Sequence, residues 1–152
     1  MKQIISALLA LVPMSFAIRD DSVKTEFAKL EGVWQVVSHQ TEGKAANEEH
    51  WTKVHFTFKG NELTFKGDDI LSKKAAKITL VIDPSTTPKV IDMSIVAGEF
   101  KGTVLEGIYE IKDDSLKICF RNEEKKNRPN DFTTKDDSGL VLFVLHRERT
   151  WP

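Results

Sequence analysis

The stretch Lys53-Val54-His55-Phe56-Thr57-Phe58-Lys59-Gly60-Asn61-Glu62-Leu63-Thr64-Phe65-Lys66 decides the fold class. Val54, Phe56 and Phe58 alternate with polar residues, and so do Leu63 and Phe65. That is the period of strands that are dry on one face and wet on the other. Gly60-Asn61 between them suits a two-residue hairpin loop. With that loop, Lys59 faces Glu62, Phe58 faces Leu63 and Phe56 faces Phe65. Opposite charges meet on the wet face and apolar pairs on the dry one, so the register supports itself.

The same test succeeds around Asp113-Asp114. Taken as a loop, these residues set Ile111 against Leu116, Tyr109 against Ile118 and Gly107 against Phe120. On the other face Glu110 meets Lys117 and Glu106 meets Arg121. Further strands are expected around Trp34 and Val36, at Lys77–Asp83, Val90–Val96 and Leu140–Arg147, with a short one at Ile70–Lys74. Turn-rich segments at Asp83–Pro88, Gly98–Gly102 and Asp136–Gly139 separate them. One helix comes first: Ser22 is placed to cap it, Val23, Phe27 and Leu30 form its apolar stripe, and Gly32 ends it. Eight or nine short strands in series leave exposed edges unless the sheet closes. The expected fold is therefore all-β, a single closed or nearly closed antiparallel up-and-down barrel of 8–9 strands behind a short helix. A β-sandwich is the alternative.

At 152 residues the chain is one domain of ordinary size. Its 30% charged and 40% hydrophobic residues do not fit disorder or a multi-span membrane protein. The 22 Lys+Arg balance 23 Asp+Glu without clustering, which argues against nucleic acid as a partner. Residues 1–17 read as a secretory signal peptide. Lys2 precedes an apolar run from Ile4 to Met14, Pro13 breaks the helix, and small residues Ser15 and Ala17 precede the cut. The run is too short to span a bilayer. Removal after Ala17 leaves residues 18–152 as a monomeric domain, secreted or periplasmic. Cys119 has no partner in the chain, so it is expected to be a small buried residue and stability must come from the core.

Gly32-Val33-Trp34 resembles the Gly-x-Trp signature that opens lipocalin barrels. The resemblance implies that Arg147, near the end of the last strand, packs across the Trp34 ring and closes the barrel; Arg149 is the weaker choice. Longer segments also match in order. They are Leu30–Ser38, Pro88–Asp92, Gly107–Ile111, Leu116–Phe120, Arg128–Phe132 and Leu145-His146-Arg147. Together they resemble an uncharacterised lipocalin-like family widespread in planctomycete bacteria, from which Asn130-Asp131 is a mild departure. That likeness implies a small exported barrel and no particular activity.

Candidate chemistry is sparse. His39, His50, His55 and His146 lack the spacing of a metal site, and His55 lies on a wet face. No nucleophile elbow, phosphate loop or dinucleotide fingerprint occurs, so neither a cofactor nor a metal is expected. Pairing Ile91 with Tyr109 sets Asp92 beside Ile108 and Cys119 on the outer face, where a structural role with the backbone or Lys89 is expected ahead of catalysis. Glu123–Arg128 reads as a solvated loop. Arg128-Pro129 with Phe132 reads as a fixed one, Phe132 plugging the core and Arg128 donating to carbonyls.

The paired strands, with Trp34, Val36, Ile91 and Met93, give an inward apolar set. Such a barrel is just wide enough either to be filled by its own side chains or to hold one small hydrophobic or amphipathic molecule. Trp34, Phe56, Phe58, Phe65, Met93 and Tyr109 are the candidate lining. Two other readings stand beside this one. The first is a module that meets an exported or envelope protein through the Arg121–Thr134 connection. The second is an enzyme using Asp92 or Tyr109.

Overall fold

The computed structural model describes residues 15–46, 48–122 and 127–149. The proposed signal peptide lies largely outside them, and so does most of the charged run at 123–128. Helix α1 (Ser15–Leu30) leads into β1 (Gly32–Thr41), a two-residue β2 (Lys44–Ala45) and a single turn α2 (Glu48–Trp51). Then come β3 (His55–Lys59), β4 (Glu62–Lys66), α3 (Asp69–Lys74), β5 (Lys77–Asp83), β6 (Lys89–Ala97), β7 (Val104–Lys112), β8 (Ser115–Arg121) and β9 (Leu140–Arg147). From β3 to β9 each strand pairs antiparallel with the next. β1 pairs with both β3 and β9, closing a ring of eight, and β2 is an extra strand on β1.

Both hairpin registers derived from the sequence hold. Phe56 faces Phe65, Phe58 faces Leu63 and Lys59 faces Glu62. Ile111 faces Leu116, Tyr109 faces Ile118, Glu110 faces Lys117 and Gly107 faces Phe120. In each case one turn fixes the whole ladder, and the alternation lets only that register bury its apolar face. Gly107 also needs its missing side chain, because a Cβ there would stand 2.7 Å from the Cys119 carbonyl oxygen.

Several expectations need correction. α1 begins at Ser15, so Ser22 lies inside the helix rather than capping it. Ile70–Lys74 is helical, not a strand: the Asp68 side chain accepts from Leu71 N at 2.7 Å and caps the turn. Ile91 pairs with Gly107 and Lys89 with Tyr109, a shift of two that preserves the faces but changes the neighbours. Asp92 consequently lies opposite Glu106 and binds Arg128 at 2.8 Å, while Lys89 goes to Glu26. The β7–β8 ladder stops at Gly107–Phe120, so Glu106 and Arg121 do not form the expected pair. Arg121 donates to the carbonyls of Asn127 and Ser138 instead.

The core fills the inside of the ring. Trp34, Val36, Leu63, Ile91, Leu116 and Leu145 are wholly buried there. A second, smaller cluster lies on the outer wall, where Ile108, Cys119, Leu140 and Leu142 are covered by Phe132. The described part of the connection after β8, residues 127–139, therefore lies as a strap on the outer wall. Phe132 plugs this outer cluster and not the barrel interior. Arg128 donates from the strap to the carbonyls of Ile91 and Gly107, at 3.2 and 2.8 Å. Burial pushes the Cys119 thiol up to about 11, with the Asp131 charge acting in the same direction.

Candidate ligand site at the mouth of the barrel

One end of the ring is sealed. Val23 and Phe27 of α1 pack against the core, and Trp34 Nε1 donates to Leu30 O at 2.7 Å. The Arg147 guanidinium sits 4.2 Å from the Trp34 ring centroid and donates to the carbonyls of Glu31 and Lys29. Glu26, only 3% exposed, reaches under the helix to Lys89 at 2.5 Å and Lys29 at 3.1 Å, and accepts from the Tyr109 hydroxyl at 3.4 Å. Burial works to raise the Glu26 carboxyl, but hydrogen bonds from Lys89 and Lys29 outweigh it and hold the group below its ordinary value. Burial and the neighbouring Glu26 charge push the Tyr109 hydroxyl well above its usual range. This constellation fastens a helix to a sheet.

The other end differs, and the difference starts in β1. Trp34 and Val36 point inward, and then the β1–β9 register shifts between Val36 and Ser38. One extra residue reverses the alternation, so His39 pairs with Phe143 with its ring against that inward aromatic, 4.6 Å between centroids. Trp51, carried by α2, stacks on His39 at 4.1 Å and meets Phe143 edge-on at 5.2 Å. His39 Nδ1 is buried without a hydrogen-bond partner. Burial, helped by the nearby His50, lowers this imidazole to about 4. His50 Nε2 lies 2.7 Å from Asp68, the cap of α3, so the two mouth helices are joined. Asp68 loses solvation, yet the Leu71 amide and His50 more than compensate and hold its carboxyl low.

β4 and β5 share only two paired positions, Glu62–Thr79 and Leu63–Ile78. Beyond them the ring parts, and Leu71 of α3 fills the opening. Inside lies a fully apolar cavity of about 50 Å³, lined by Phe56, Phe65, Leu71, Met93, Phe120 and Phe143 among others. It is too small for an organic ligand, since such sites run to roughly 300–1,000 Å³. Next to it a cleft of about 500 Å³ opens to solvent between α3 and the β6–β7 connection. Leu71, Ile95, Phe100, Leu105 and Phe120 line its apolar part, with Lys74, Thr103 and Asn122 as its polar groups. Leu71, Leu105 and Phe120 border both spaces.

The structure divides the six candidate lining residues. Phe56, Phe65 and Met93 border the inner cavity. Trp34, Phe58 and Tyr109 are buried elsewhere in the core; Trp34 and Tyr109 belong to the sealed end, and Tyr109 borders an outer cleft of about 260 Å³ beside Pro84–Lys89. Sequence reasoning missed Leu71, Leu105 and Phe143. The sequence pattern places Leu71 in a strand, and Phe143 sits in a continuous apolar run, Leu140–Leu145, without alternation. His39 escaped because nothing in Val36-Val37-Ser38 announces a bulge. Among the described residues, no group of three or more His, Cys, Asp or Glu is arranged to hold a metal, and no helix is long and apolar enough to cross a membrane.

Fold and site together define a closed antiparallel barrel of eight strands, sealed at one end and cleft at the other, an architecture compatible with lipocalin-like proteins. No protein-family model, curated protein or solved structure matches the chain.

Proposed function

We propose that this is an exported lipocalin-like barrel, of the kind widespread in planctomycete bacteria, that binds a small hydrophobic or amphipathic molecule at its mouth. It acts by binding and not by catalysis. The cleft of about 500 Å³ carries the reading: it has the volume of a ligand site, apolar walls and few polar groups. The inner cavity extends it toward Phe56, Phe65 and Met93. Export rests on the pattern of residues 1–17. The Arg121–Thr134 connection is a poorer interaction surface, because its described part is fastened by Arg128 and Phe132.

Titration with a fluorescent fatty-acid probe tests the proposal. Saturable binding is expected, and Leu105→Trp, which puts a large ring where the two spaces meet, should weaken it by tenfold or more. Val81→Ser, on the exposed outer wall, should leave it unchanged. Absence of saturable binding, or equal binding by the Leu105→Trp protein, overturns the assignment.

A further inference from the structure

Exposed apolar side chains on a soluble domain are normally scattered singly. Here, among the described residues, four of the six large ones lie on α3 or at the β6–β7 hairpin end: Ile70 (65% exposed), Phe100 (49%), Val104 (47%) and Val96 (39%). Glu99 and Phe100 donate backbone bonds to the carbonyls of Lys73 and Lys74, holding α3 beside the β6–β7 tip. Ile95 N donates to Thr103 O and Gly102 N to Ile95 O, closing the β6–β7 hairpin whose ends carry Val96 and Val104. This region also carries a small excess of lysine on its surface. Residues 69–77 and 96–104 hold Lys73, Lys74, Lys77 and Lys101 against Asp69 and Glu99, in a chain of net charge −1. Lys77 is spent on Glu62 at 2.5 Å, whereas Lys73, Lys74 and Lys101 are exposed.

Apolar tips among lysines suit an anionic bilayer, whose acyl boundary takes the former while its phosphates meet the latter. We propose that this corner docks the barrel on an anionic lipid surface, with Ile70 and Phe100 entering the headgroup boundary and Lys73, Lys74 and Lys101 facing lipid phosphates. A lipid surface fits better than an acidic protein. The tip at Gly98–Gly102 is exposed throughout, and a bilayer receives such projections one by one. A protein partner would instead need a shaped complement of roughly 800 Å² on each side. The cleft opens at the same corner, since Lys74 and Phe100 line it, but the docking does not require the cleft to be filled.

Co-sedimentation of the full chain with vesicles tests this. One set contains equal phosphatidylglycerol and phosphatidylcholine, the other phosphatidylcholine alone. The protein should partition onto the anionic set, and salt should weaken the binding. Combined Lys73→Glu, Lys74→Glu and Lys101→Glu changes should reduce it by roughly fivefold or more per lysine. Ile70→Ser with Phe100→Ser should reduce it by at least tenfold, and Val81→Ser should match the wild type, with circular dichroism confirming that each variant is folded. Three results overturn the proposal. The wild type ignores anionic vesicles; or the multiple variants bind as it does, which assigns the contact to another region such as residues 1–14; or polyglutamate is held as tightly as the vesicles, which assigns the corner to acidic protein.

Discussion

His39 is a polar ring stacked on Trp51 and tilted against Phe143, with one nitrogen buried and unbonded. Such a group costs stability whenever it must be charged. Its native pKa is lowered from 6.5 to about 4. Between those values the unfolded chain binds a proton that the native state refuses, so native stability falls as pH drops from about 6.5 toward 4. His39→Phe keeps the stack and removes the titration. Urea unfolding at several pH values should show a flatter profile for that variant across this window and higher stability at pH 5. Glu26 acts in the same direction but over a lower pH range. Its lowered native pKa stabilises the fold above the ordinary carboxylate value, and the contribution is lost only as pH falls through the native one. The two groups thus act on different parts of the acid limb.

Among the elements, α3 is the one that the sequence pattern misassigns. Ile70–Lys74 has an apolar–polar rhythm too short to separate strand from helix, and the deciding feature lies just before it. Asp68 caps the turn and simultaneously holds His50, so one carboxylate ties α3 to α2. Gly98 secures the other end: at φ +109° its amide chain runs so close that a Cβ would stand 2.6 Å from Lys74 O. Replacement of Asp68 by Ala should cost about 1–2 kcal/mol by loss of the cap. The loss should appear first at the mouth, as faster hydrogen exchange at the Leu71 and Ala75 amides while Trp34 and its neighbours stay protected. Equal loosening at both ends would show that α3 is not a separate unit. At the sealed end Arg147 fastens β9 to both β1 and the end of α1.

For the whole molecule, closure of the ring governs access to the interior. Cys119 lies on the outer wall, yet the strap and Phe132 cover it and its thiol is pushed up to about 11. At pH 8 an alkylating reagent should therefore leave the native protein unlabelled. Labelling should become rapid across the urea unfolding transition, and mass spectrometry distinguishes the two states. Fast labelling of the native protein would mean that the strap opens independently of the barrel.

Legibility follows the range of the interactions. The 53–66 and 106–121 hairpins were readable because each register depends on one short turn and on alternation within a dozen residues. The Ile91 register was missed by two because β6 and β7 are joined across a longer connection, Gly98–Thr103, which fixes no single offset. The inward faces of Phe56, Phe65 and Met93 followed from period alone. Their separation from Trp34 and Tyr109 depended on which end α1 covers. By itself, then, the sequence determined the strands, their dry faces and the need to close, since alternation and turn chemistry act locally. Only the tertiary structure decided the bulge that turns His39 inward, the burial of Glu26 under α1 and the parting of β4 from β5. Each of these depends on segments far apart in the chain competing for the same space.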